Sequence, residues 1–205
     1  MPGDVRLCCF GDSLVNGTHD EAYLGWPGRV SAQLRTRDLV LTTYNLGIRR
    51  DTSRDIAARW RDEAVRRLPE HADGRLVFSF GVNDCVMESG VARVAAAESQ
   101  ANAERIFSAA RSWRPTLVIG PPAMHWDGQD GINERIRTLA DGQRALCAAL
   151  HIPFIDLFSP LAGAPAWVRE IAAGDGVHPG HAGYDRLALI ILAWPGWSAW
   201  LTPSA

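Results

Sequence analysis

The sequence predicts an α/β protein, with one parallel β-sheet covered by helices on both faces, in a single domain over residues 1–205. Three observations carry this. Apolar runs of strand length recur along the chain, several without polar alternation, as strands buried on both faces require. Segments of helical length separate them, and such alternation implies a parallel sheet. The chain has 205 residues, enough for one sizeable core, and no repeat, low-complexity tract or linker divides it.

The strands are expected at 5–10, 39–44, 76–80, 117–119 and 153–157, each short and rich in Val, Ile, Leu or Phe. Most are bounded by Gly, Pro, Asn or Asp. Helices are expected at 27–36, 52–68, 91–112, 131–150 and 179–194. Thr52 or Asp51 can cap the second helix, and Pro69 lies just past its end. Pro179 suits the first turn of the fifth, and Pro195 stops it.

Composition removes several function classes. All 21 basic residues are arginine, so there is no Schiff-base lysine, no P-loop Gly-Lys-Ser/Thr and no lysine general base. A net charge of −2 gives no footprint for nucleic acid or an anionic membrane. The longest apolar run, 187–194, is far short of the ~20 residues of a spanning helix. The first residues lead straight into a strand and leave no room for a secretion signal. Cys8, Cys9, Cys85 and Cys147 lack metal-binding spacing and read as buried thiols of a reducing compartment. Adjacent Cys8 and Cys9 should point to opposite faces of their strand. The expectation is a cytoplasmic protein.

In a parallel α/β sheet, chemistry belongs in the loops leaving the carboxyl ends of the strands. The first strand ends in Phe10-Gly11-Asp12-Ser13-Leu14, which places a serine hydroxyl at that edge. Serine is a poor nucleophile unless a base lies within hydrogen-bond reach. Asp175-Gly176-Val177-His178-Pro179 supplies one, with Pro179 keeping His178 extended at a helix start. Asp175 can fix the imidazole tautomer while the other ring nitrogen meets Ser13, the logic of a serine triad. Asn45-Leu46-Gly47 and Gly81-Val82-Asn83-Asp84 end the next two strands. The backbone amides of Ser13 and Gly47 and the Asn83 side chain would then donate to an oxyanion. Asp12 and Asp84 are expected to brace their loops.

These blocks, from Phe10 to Tyr184, resemble the SGNH subgroup of the GDSL esterase and lipase family. The resemblance rests on Gly-Asp-Ser-Leu at 11–14, Asn45 with Gly47, Gly-x-Asn-Asp at 81–84 and Asp-x-x-His-Pro at 175–179. It implies a flavodoxin-like three-layer α/β/α fold, five parallel strands ordered 2-1-3-4-5, and hydrolysis of esters or thioesters without a cofactor. One departure stands out. Where the second block often carries another glycine, this chain has Arg50.

Arg49 and Arg50 follow the expected oxyanion donor and could recognise a phosphate, a carboxylate or a coenzyme A moiety. The competing reading has them solvated or paired with Asp51 or Asp55. Met124 and Trp126, after the fourth strand, are candidates to line an acyl or aromatic pocket. Asp175, His178 and His181 make a poor metal set, because Pro179 interrupts them and no further ligand lies nearby. His181 reads as a solvent-facing helix residue, and Trp26 as packing at a helix start. Trp194, Trp197 and Trp200 read as core packing, with a second subunit as the alternative. The expected activity is a serine hydrolase for small carboxylic esters or thioesters. Lysophospholipid, acyl-thioester and O-acetylated sugar are alternative substrates, and a non-catalytic binding protein is the reading from another class.

Overall fold

A computed structural model of the chain describes residues 3–34 and 39–202. Five strands form the main sheet: β1 (Gly3–Gly11), β2 (Leu39–Gly47), β3 (Asp73–Ser79), β6 (Thr116–Ile119) and β7 (Phe154–Ile155). Two further strands, β4 (Met87–Glu88) and β5 (Val91–Ala92), make a separate antiparallel hairpin. The helices are α1 (Ser13–Asn16), α2 (Gly25–Leu34), α3 (Ser53–Arg67), α4 (Ala96–Arg111), α5 (Ile132–Ala149), α6 (Phe158–Leu161), α7 (Pro165–Ala173), α8 (His181–Leu192) and α9 (Trp197–Leu201).

All pairings in the main sheet are parallel, and the strand order is β2-β1-β3-β6-β7. That is the three-layer arrangement with the spatial order 2-1-3-4-5 expected above. Alternation along β1 divides the core. Val5, Leu7 and Cys9 join one apolar cluster with Val30 of α2 and Tyr184 and Leu187 of α8. Cys8 and Phe10 join the other with Ile56 and Trp60 of α3 and Phe107 of α4. Phe10 stacks on Phe78 at 5.5 Å and Trp60 meets Phe78 edge-on at 5.6 Å, so this second layer is aromatic at its centre.

The cysteines are all buried free thiols, and the adjacent pair does face opposite layers. Burial pushes Cys8, Cys85 and Cys147 up to about 12, which keeps them protonated and unreactive. Trp26 and Trp197 are buried, and the three C-terminal tryptophans pack edge to face at 5.2–6.4 Å. No helix among the described residues is long and apolar enough to cross a membrane.

Thr52 caps α3 in a reciprocal box with Asp55, as the sequence suggests. Two local expectations need correction. The helix expected from residue 91 begins at Ala96, because Met87–Ala92 turn back on themselves through Ser89 and Gly90, both at positive φ. Pro179 lies outside α8, whose cap is Gly180. The helix α7, opened by Pro165 at its first turn, was not expected from the sequence. Residues 35 and 36 of the first expected helix lie outside the described residues.

Candidate active site

The site lies at the carboxyl edge of the sheet and begins where β1 ends. Gly11 is obligatory there, since an added Cβ would collide with the Ser79 carbonyl and Val15. Asp12 caps α1, its carboxylate accepting from the Leu14 N–H at 2.9 Å. Ser13 is thus the first residue of a helix, and its own N–H has no acceptor within that helix.

The loop after α1 is stapled to α8. Asp20 accepts from the Gly25 N–H at 2.7 Å and from Arg29, whose Nε donates to Asp185 of α8 at 2.5 Å. The Tyr184 hydroxyl donates to the Thr18 carbonyl at 2.8 Å, and the His181 N–H to Glu21 at 2.7 Å. These contacts hold the segment before α8 against the start of α1. His178 Nε2 consequently lies 2.7 Å from Ser13 Oγ, and His178 Nδ1 lies 2.7 Å from Asp175 Oδ2. A carboxylate can only accept, so Nδ1 carries the proton and the neutral ring offers Nε2 to the serine O–H.

Electrostatics favour that neutral ring. Burial lowers His178 below the ordinary imidazole value; Asp175 opposes this, while the charges of Arg49 and His19 add to it. Burial raises Asp175, but its bonds from the His178 N–H, the His178 ring and the Val177 N–H outweigh that and hold it at about 2. Asp12 behaves oppositely. Burial, with the nearby charges of Asp84 and Asp51, pushes its carboxyl up to about 7 against the bond from Leu14.

A cleft of about 360 Å³ opens beside the serine, lined by Ser13, Asn83, Arg49, Trp126, Asp175 and His178 among others. Asn83 opens a 3₁₀ turn after β3 and donates through Nδ2 to the Asp51 carbonyl at 3.1 Å and to Asp12 at 3.3 Å. Asp84 is buried behind it, accepting from the Ser53 N–H at 2.7 Å and the Ser99 hydroxyl at 2.5 Å. Both aspartates therefore brace loops, as expected.

Residues 9–186 match the GDSL-like Lipase/Acylhydrolase family. The chain belongs to that family. No curated protein sequence matches it. Among solved structures, a variant of Axe2, an acetyl-xylooligosaccharide esterase from Geobacillus stearothermophilus, is similar at 20% identity and a TM-score of 0.76, with 94% of each chain covered. A lipase/acylhydrolase from Enterococcus faecalis is similar at 24% identity and 0.71, with 98% of each covered. A member of the lipolytic G-D-S-L family from Veillonella parvula gives 19% and 0.74, with 93% of this chain and 98% of that one covered. Family membership identifies the chain as a GDSL-like lipase/acylhydrolase.

Two members of the expected site, Gly47 and Met124, lie outside the cleft. The Gly47 N–H donates to Asn45 Oδ1 at 3.1 Å, and Gly47 is wedged against Asp12 and Asn16 outside the cleft. Its lack of a side chain serves close packing, and its N–H is already engaged by Asn45. Arg50 does line the cleft, at φ 70°, and its N–H makes no hydrogen bond among the described residues. The sequence signal for this was present, since Arg50 stands where the family often has glycine. Its side chain pairs with Glu88 at 2.9 Å, not with Asp51 or Asp55. Arg49 lines the cleft and has no acidic partner among the described residues. Trp126 lines the cleft, but Met124 is buried in the core, its N–H and C=O both held by the Asn133 side chain.

Among the described residues, two groups of side chains converge closely enough to hold a metal. In one, His19, Asp175 and His178, the acceptor oxygens and ring nitrogens already face one another and Ser13. In the other, Asp20, Glu21 and His181, the Arg29 guanidinium already binds Asp20 and His181. His181 is exposed but bound to Arg29 and Asp185, and it does not join Asp175 and His178.

Proposed function

We propose that this acylhydrolase is a serine hydrolase for small carboxylic esters, working through Ser13, His178 and Asp175. The observation that carries the reading is the unbroken hydrogen-bonded chain from Ser13 through His178 to Asp175, both links at 2.7 Å. In the reaction the Ser13 oxygen attacks the acyl carbon as its proton passes to His178 Nε2. Asp175 stays ionised and stabilises the imidazolium. The N–H groups of Ser13 and Arg50, with the Asn83 amide, receive the oxyanion. Asn83 can turn its longer bond from Asp12 toward the oxyanion, because Asp12 near neutrality is a weak competitor. His178 then protonates the leaving alcohol or thiol, deprotonates a water, and the water releases the acyl group from Ser13.

The cleft of about 360 Å³ favours short acyl groups. Hydrolysis of p-nitrophenyl esters from acetate to palmitate tests this. Rates that fall with chain length support the reading, and a preference for palmitate would sink it. A second reading rests on Arg49, a cation on the cleft without an acidic partner among the described residues. It pairs with an anionic substrate group, as in an acyl-coenzyme A thioester. Arg49→Gln should then raise KM for acetyl-coenzyme A while leaving p-nitrophenyl acetate unaffected at a pH above the acid limb, where His178 is neutral in both proteins. Similarity in fold to an acetyl-xylooligosaccharide esterase makes acetylated oligosaccharides the third substrate to test.

A further inference from the structure

Resting on that reading, we propose that Arg93 is a positioning residue that clamps the oxyanion site. Arg93 follows β5 and is tied by its backbone to the oxyanion loop, its N–H donating to the Val86 carbonyl at 2.9 Å. Its guanidinium forks. Nη1 donates to Asn83 Oδ1 at 3.1 Å and Nη2 to the Arg50 carbonyl at 2.8 Å. Nε lies 3.5 Å from Glu88, which also holds the Arg50 side chain at 2.9 Å. The Arg93 side chain is 15% exposed; its bond to Asn83 is partly buried, and its bond to the Arg50 carbonyl lies at the surface.

A guanidinium offers donors only. It therefore accepts just one orientation of the Asn83 amide, with Oδ1 toward Arg93 and Nδ2 toward Asp12 and the serine. A flipped amide would set N–H against N–H and leave a buried donor unpaired. The same side chain fixes the Arg50 carbonyl, and hence a backbone held at φ 70°, which a non-glycine residue keeps only when its surroundings impose it. One arginine thus sets two of the three oxyanion donors. The short β4–β5 hairpin carries both Glu88 and Arg93 and gives this clamp its base.

The test is a double-mutant cycle on p-nitrophenyl acetate with Arg93→Ala, Asn83→Ala and the pair together. Arg93→Ala should lower kcat about 10- to 100-fold with KM within about threefold, because only transition-state contacts are lost. Arg93→Lys should recover part of that loss, since its compact ammonium donates but lacks the planar fork that reaches both acceptors. The double variant should fall below Asn83→Ala by clearly less than Arg93→Ala falls below wild type, the remaining loss coming through the Arg50 backbone. Fully multiplicative losses, a change in KM alone, or unchanged kcat in Arg93→Ala would each overturn the clamp. Should Arg93→Ala not fold, the cycle is run with Arg93→Lys and judged by the same coupling. If the wild type hydrolyses no ester, the cycle is read as the rate of Ser13 labelling by a fluorophosphonate. A wild type inert to both overturns the hydrolase reading and the clamp together; an active wild type without coupling overturns the clamp alone.

Discussion

His19 lies parallel to His178, with ring centroids 5.7 Å apart and 8° between planes, and sets Nε2 3.2 Å from Asp175 Oδ2. The base thus shares its carboxylate with a second imidazole and faces the charge of Arg49 as well. Activity requires neutral His178, so it is lost as pH falls through a value below the ordinary imidazole range. Removing either repelling group raises His178. The acid limb of kcat/KM should therefore move to higher pH in His19→Ala and in Arg49→Gln. A limb that moved down, or stayed in place in both, would contradict this electrostatic account.

Asp12 predicts a dependence of stability on pH. Its folded value of about 7 lies above the unfolded one, so the folded state binds the extra proton between them. Stability on this account is fullest below the unfolded value, falls as pH rises toward 7 and is level above it. The slope from this group is on the order of 2–4 kcal/mol between about pH 4 and pH 8. Urea unfolding of Asp12→Asn should show that slope flattened, whatever the offset from new contacts with Asn83. An unchanged slope would place the titration elsewhere.

At Arg50 the backbone, and not the side chain, is assigned the chemical role. Arg50→Gly keeps the N–H and relieves the positive φ, so kcat should stay within about threefold of wild type. Stability should rise by up to about 1 kcal/mol, less whatever the exposed pair with Glu88 contributes. A tenfold or larger fall in kcat would transfer the role to the guanidinium.

Gly47→Ala should act through stability. The new Cβ would press on the Asn16 backbone and the Asp12 carbonyl, costing about 1–3 kcal/mol in thermal or urea unfolding. Asn83→Ala, by contrast, should lower kcat about 10²- to 10³-fold as an oxyanion donor is lost. A loss from Gly47→Ala as large as that of Asn83→Ala, in protein of unchanged stability, would restore Gly47 to the oxyanion site.

Much of this arrangement is legible in the sequence because strand order and loop chemistry are local. Gly-Asp-Ser after one strand and Asp-x-x-His-Pro before a helix place Ser13, Asp175 and His178 at one edge once the sheet is parallel. Gly47 misleads because close packing and oxyanion donation both call for a residue without a side chain. Only the engagement of its N–H by Asn45 separates them. Met124 misleads because its loop dips inward, anchored by Asn133 and by Trp167 donating to the Ala123 carbonyl at 2.6 Å. The Ser89-Gly90 turn was readable as a hairpin signal but sits in a stretch too short to show strand alternation. Arg93 and His19 carry no motif at all. Their partners, Asn83 and Asp175, lie 10 and 156 positions away or meet them only through the loop path.

The most direct measurement of the central claim is intact mass after exposure to a fluorophosphonate, for wild type, Ser13→Ala and His178→Ala. A single adduct on the wild type that maps to Ser13, absent from Ser13→Ala and slowed by orders of magnitude in His178→Ala, is the expected result. An unlabelled wild type, or an adduct that persists in Ser13→Ala, would contradict Ser13 as a nucleophile activated by His178.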